Sequence, residues 1–352
     1  MPREEDRAIT VGLGYLLFLA AVGLVLAGRH VHRALEFIEW IMMGWMLLFL
    51  AVLALLYVPG SVWTALGWSF AGRPLWEPRL LPTLPVDGTL DWLLVAGFAA
   101  YSGAGGTVNA MLTYWLRDKG FGMAGTVGVQ PISVGAQILL LPREGAIFPP
   151  SEANLAKWRE WWRYLRADLF WLWTVVCLIG MALPVALALD AVPRNLDVSG
   201  LGAGAVFARE LARRYGAVLW MPALLTALWI FFSTQVGIAE GFARHVTEML
   251  WTAGARPGAR GPVWLFYPVL ALFVAAGGLA MTRAAPLTLI LIGANVAALN
   301  FAVLSFHTLR LNRALLPEPL RPPRWREAVV ALGGLTFALL VARVLARLLL
   351  GL

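Results

Sequence analysis

Charged residues are scarce: Asp, Glu, Lys and Arg make up 14% of the 352 residues, where a soluble domain carries about 25%. That shortage excludes an ordinary water-facing globule of this length. Cysteine is nearly absent. The one example, Cys177, sits inside an apolar run, so there is neither a disulfide framework nor a Cys/His metal cluster. No paired carboxylates, nucleophile–base set or phosphate-binding loop stands out, so an enzyme is not expected. A cleaved leader is not expected either. MPREEDR is too acidic at its start, and the apolar run behind it, about 20 residues, is too long.

What the chain has instead is apolar length. It is 60% hydrophobic with a mean hydropathy of +0.74. Apolar runs with few or no charges recur at roughly 8–27, 37–58, 91–116, 168–190, 216–238, 262–282, 285–306 and 328–350. Each is long enough to cross a bilayer core of about 30 Å as a helix. The expected fold is therefore an all-α polytopic membrane protein of about eight transmembrane helices, with residues 1–352 as one transmembrane domain. The net charge of +8 resides mostly in loops, so nucleic acid is not an expected partner; the lipid bilayer is. Sorted by alternate loops, sixteen Lys and Arg fall on one side and nine on the other, with Arg244, Arg343 and Arg347 within or beside spans. The richer side holds loops 28–36, 117–167, 252–261 and 307–327. The positive-inside rule makes it cytoplasmic and puts both termini outside, in what is expected to be a bacterial inner membrane.

The third run, from Trp92 to Leu116, has 25 uncharged residues and four glycines, three of them at Gly103, Gly105 and Gly106. Each glycine costs a helix interior about 1 kcal/mol relative to Ala, so the cluster weakens the span at a depth where no water satisfies freed backbone groups. Transporters use such breaks to present carbonyls and helix ends to an ion or substrate. Thr107 and Asn109 follow immediately as two polar side chains in an apolar stretch. Close helix packing through small residues is the other reading of such a glycine cluster.

Other segments carry less specific signals. Residues 59–90 contain five prolines and are expected at the membrane surface, with Trp63, Trp68 and Trp76 at headgroup level. In SEANLAKWREWWRYLRADLFW, Ser151 can cap a helix. Trp158, Trp162, Leu165 and Leu169 share one face of it, largely apart from Lys157, Arg159, Arg163 and Arg166. That pattern predicts an amphipathic surface helix leading into the fourth span. Ser233, Thr234 and Gln235 fall in or near the bilayer, a polar cluster that a lipid-facing span does not need. Glu240, Arg244 and Glu248 follow at i, i+4 spacing, which reads as a self-paired helix face, with His245 interfacial. Asn295 and Asn300 are expected to cross-link helices.

The segments GRHVHRALEFIEW, YSGAGGTVNAM with WLRDKGFGM, FFSTQVGIAEGFARHVTEMLW and LNRALLPEPLRPPRWRE together resemble the Nramp-like divalent metal transporter family, from its fourth span to its eleventh. The resemblance implies a partial LeuT-type (APC) inverted-repeat bundle lacking the first three spans. Residues 8–58 would be the last two spans of the first repeat, 91–306 the complete second repeat, and 328–350 an extra C-terminal span. It implies a metal site at the break, with the Ala104 and Gly105 carbonyls, Thr107 and Asn109 as ligands. Gly103, Gly106, Ser233, Thr234, Gln235 and Glu240 would line the transport pathway. The family's metal-binding Met has no counterpart at Gly106 or Thr107, and Asn109 falls about where its His stands. Loss of the soft sulfur leaves Mg²⁺ open beside Mn²⁺ and Fe²⁺ as cargo, and no resident cofactor is expected. The family's first-span Asp-Pro-Gly motif does not occur, so the chain is expected to be a C-terminal part or to need a separate polypeptide supplying the first three spans. The expected function is ion-coupled transport of a divalent metal cation by alternating access. The alternatives are a LeuT-fold carrier of an organic solute such as an amino acid, and a non-transporting membrane subunit.

Overall fold

The computed structural model describes residues 4–27, 29–70, 92–102, 107–118, 120–127, 147–193, 196, 203–254 and 263–350. In chain order the helices are α1 (Glu4–Ala27), α2 (Arg29–Tyr57), α3 (Gly60–Phe70), α4 (Trp92–Tyr101), α5 (Thr107–Asp118), α6 (Ala124–Val127) and α7 (Glu152–Ala167). They continue with α8 (Val175–Ala191), α9 (Ala203–Tyr215), α10 (Trp220–Thr252), α11 (Val263–Arg283), α12 (Pro286–Leu315) and α13 (Arg324–Leu350). Among the described residues there is no strand. Seven helical stretches among the described residues are long and apolar enough to cross a membrane. Their outward faces carry side chains such as Leu55, Leu56 and Leu272, each at least two-thirds exposed, a surface that suits lipid and not water. The protein is an all-α polytopic membrane protein.

The third of the eight expected runs is not among these seven stretches, because its described residues are not continuous. It comprises the short helices α4 and α5, with Ser102 already out of the helix. Two further helices arise in stretches read as loops. In α3, Val62 is buried and Trp63 and Leu66 pack against the α2–α8 core; tertiary burial overrides the flanking Pro59 and Gly60. In α9, Val206, Ala208 and Leu211 are buried, but the helix is too short and too charged to register as a span. Residues 71–91, including Trp76, lie outside the described residues.

The predicted amphipathic helix is present as α7, and Ser151 caps it by accepting a hydrogen bond from Asn154 N at 3.4 Å. It does not end before the span. A seven-residue π-helical stretch, Asp168–Thr174, joins it to α8, giving one 40-residue helix. At 1.5 Å per residue this is about 60 Å, twice the hydrocarbon thickness, so α7 projects beyond it.

The helices assemble in three groups. One core joins α2, α3, α8, α9 and the start of α10 through Leu53, Ala54, Leu187, Leu211 and Ala223. A second joins α1 and α11 to the later part of α10 through Phe18, Ala21, Ala239, Ala243 and Phe266. The 33-residue α10 is thus common to both. The third group is α4, α12 and α13. Here Ala294, Ala298 and Ala302 recur every four residues and are buried, as are Ala96, Gly97 and Ala100 of α4. Small residues at this spacing let helix backbones approach closely. Contacts between span ends sort onto two faces, as alternating crossings require. Arg117–Glu248, Trp162–Arg326 and Arg313–Glu327 meet at one face. Tyr15–Gly278, Trp92–Arg343 and Tyr57–Tyr215 meet at the other.

Candidate functional site

The break in the third run is flanked by two helices with different attachments. At its upstream edge, Ser102 Oγ donates to the Ala99 carbonyl at 2.8 Å, which satisfies one of the acceptors left open where α4 ends. α4 lies against α12 and α13. Asn295 Nδ2 donates to the carbonyls of Leu93 in α4 (3.0 Å) and Leu291 (2.8 Å), the cross-link expected of that amide. Both of its N–H groups are used, which leaves Oδ1 buried without a partner. Downstream of the break, α5 packs on α10 instead.

The expected metal ligands Ala104 and Gly105, with Gly103 and Gly106, lie outside the described residues. Thr107 and Asn109 lie in the first turn of α5, and their side chains are likewise outside what is described. Among the described residues, no group of three or more His, Cys, Asp or Glu is arranged to hold a metal ion. Farther along α10, Ser233 Oγ and Thr234 Oγ1 both donate to the Ile230 carbonyl, at 3.3 and 2.7 Å. These hydroxyls are satisfied by their own helix, a common way for a span to carry Ser and Thr. Gln235 and Glu240 are half-buried.

The seam between α5 and α10 holds the densest polar chemistry around the break. Met111, buried, sits against Gly241, where any side chain would overlap its sulfur. One turn on, the Tyr114 ring lies 5.8 Å from that of His245. A further turn on, Arg117 grips Glu248 with both nitrogens, Nη2–Oε1 at 2.8 Å and Nη1–Oε2 at 3.3 Å. The guanidinium also stands over the Tyr114 ring at 5.2 Å. The stripes match because residues three and four apart share a helix face: 111, 114 and 117 meet 241, 245 and 248. A Schellman turn ends α5 just beyond Arg117: Gly120 at φ 76° donates to the Arg117 carbonyl, and Phe121 N to that of Leu116. Only glycine takes that left-handed position without strain.

The expected i, i+4 pair of Glu240 and Arg244 is present, but the extension of that ladder to Glu248 is corrected. The Glu248 carboxylate, 8% exposed, faces Arg117 across the seam. Arg244, equally buried, has Glu240 only at 3.9 Å. His245 is not a surface group either: its Nδ1 is buried without a hydrogen-bond partner. Sequence spacing could propose the i, i+4 pair but not the competing partner on α5. A bidentate arginine–carboxylate bond is both stronger and more directional than an exposed ladder contact, so the tertiary pair wins.

No family model, no curated protein and no solved structure matches the chain.

Proposed function

We propose that the protein is a membrane transporter whose substrate site is the break between α4 and α5, with divalent metal as its cargo. One observation carries this reading: the two halves of the interrupted run are held by different helix groups, α4 by α12 and α13, α5 by α10. Rocking of one group against the other changes the gap between the halves, which is what alternating access at a discontinuous helix requires. The Ala104 and Gly105 carbonyls, Thr107 and Asn109 supply oxygen ligands, a hard set that suits Mg²⁺ or Mn²⁺. Ser233, Thr234, Gln235 and Glu240 line the route. On this reading residues 91–306 form the second repeat of a LeuT-type bundle, both termini lie outside, and a separate polypeptide completes the site with the missing spans.

The test is metal influx into proteoliposomes loaded with a metal-sensing dye, with and without a co-expressed upstream membrane polypeptide. Flux that is lost in Ala104→Leu and Asn109→Ala, both still monodisperse and helical, is the expected result. Folded protein with no flux in either preparation, or with flux indifferent to Ala104→Leu, overturns it. A second reading has its own support: α5 starts at the break, so its first amides suit a carboxylate-bearing solute such as an amino acid. Amino-acid uptake without metal uptake would select it. Normal assembly with uptake of neither would leave a scaffold subunit.

A further inference from the structure

We propose that Arg326, flanked by the indoles of Trp162 and Trp325, forms a binding site for the phosphate of an anionic phospholipid where α7 meets the start of α13. The guanidinium carbon lies 4.9 Å from the Trp162 ring centre and 5.2 Å from that of Trp325. Cation–π contacts occupy the faces of the group and leave its N–H donors, which lie in the plane, for a ligand. Among the described residues Arg326 has no carboxylate partner; the adjacent Glu327 is taken by Arg313 at 2.7 Å. An arginine fork matches the geometry of a phosphodiester.

The location selects the ligand. Arg326 stands two residues before the apolar part of α13, and Trp162 stands six before Asp168, where the fourth apolar run begins. Both therefore sit at headgroup level, the depth that tryptophan prefers. From Arg310 to Glu327 the chain holds five arginines against two glutamates. Arg159 and Arg166, three residues before and four after Trp162 and both exposed, add positive charge from α7. Directly beyond α7, Phe170, Trp171 and Leu172 are 60–67% exposed and offer a surface to an acyl chain. A ligand that is anionic at one end and apolar at the other fits this combination. The same end of the bundle is the one richer in Lys and Arg, the side on which anionic lipids concentrate by the positive-inside rule. The site belongs to two helix groups at once, so an occupied site ties α7 to α13.

Native mass spectrometry and thermal unfolding of the full chain in neutral detergent test the proposal, with phosphatidylglycerol and phosphatidylcholine added in parallel. Retained phosphatidylglycerol adducts and a raised Tm, neither given by phosphatidylcholine, are expected. Arg326→Gln should weaken phosphatidylglycerol binding about fivefold, and Arg326→Lys should recover part of it. Trp162→Leu, which keeps the charge but strips one ring, should also lower the preference. Equal effects of the two lipids in the unaltered protein sink the proposal without recourse to any variant. So does an equal Tm shift from inorganic phosphate alone, which would mark a small-anion site, or an Arg326→Gln protein that binds phosphatidylglycerol undiminished.

Discussion

α4 and α5 come from a single apolar run, yet they are fastened by different chemistry. α4 is held by contact between small residues: Gly97 of α4 approaches Leu291 and Ala294 of α12 so closely that an added Cβ would stand 3.3 Å from one and 3.5 Å from the other. Asn295 adds a hydrogen bond, and Arg343 of α13 a cation–π contact with Trp92. α5 is held by a charge pair, Arg117–Glu248, with Arg117 28% exposed and Glu248 nearly shielded. Packing of the first kind is strong only at contact and does not respond to ions. Charge pairing of the second kind persists over a longer range and answers to water and salt.

The sharpest way to break that contrast is to remove the carboxylate. Glu248→Ala leaves the partly exposed Arg117 without its carboxylate and is expected to cost about 2 kcal/mol, read as a loss of thermal stability in detergent. A double-mutant cycle with Arg117→Ala should return a coupling of about 1–3 kcal/mol; a coupling near zero would mean that the pair does not fasten α5. Next comes Gly97→Val, which crowds Leu291 and should cost about 1–3 kcal/mol by overpacking. Its effect should be the same at low and high salt, whereas that of Glu248→Ala should shrink as salt rises. A smaller effect is expected of Asn295→Ala. An interhelical hydrogen bond in a membrane is worth about 0.6 kcal/mol, so a loss well above that would show that α4 depends on polar attachment after all.

The smallest effect lies at the opposite face. Tyr215 donates to Asp190 at 2.5 Å, and burial first, then this bond, push its phenol well above the usual tyrosine range. Because the value is raised by folding, the stabilisation is complete below about pH 10, where free tyrosine ionises. It fades as the pH climbs through the folded value. Phenolate absorbance of the protein and of Tyr215→Phe should coincide up to pH 10–11, with the extra phenolate appearing only above it; an extra phenolate already formed at pH 10 would contradict this.

Fold class was plainly legible, because the length of an apolar run is set by bilayer thickness and needs no tertiary information. Ser151 and Asn295 were legible for a similar reason: a cap acts on its own turn, and an amide in lipid seeks another helix. The end of α4 at Tyr101 falls just ahead of the glycine cluster, which itself lies outside the described residues. α3 and α9 were not, since their stability comes from burying Val62 and Leu211 against helices distant in sequence. Nor was the partner of Glu248. Arg244 four residues away satisfies the spacing rule, and only the placement of α5 brings Arg117 131 residues along the chain to the same carboxylate.

The π-helical stretch at Asp168–Thr174 has a mechanical meaning of its own. Wider turns accommodate about one residue more than an α-helix would over the same rise, which turns everything beyond by about 100°. Thr174 Oγ1 helps to hold that geometry by donating to the Leu169 carbonyl at 2.8 Å. The stretch acts as an indexing joint between α7 and α8. It lets Leu183 and Leu187 point into the bundle while Trp162, on the same continuous rod, still faces Arg326. Rewinding these seven residues as a regular α-helix would force those two demands out of phase, and one of the two surfaces would have to let go.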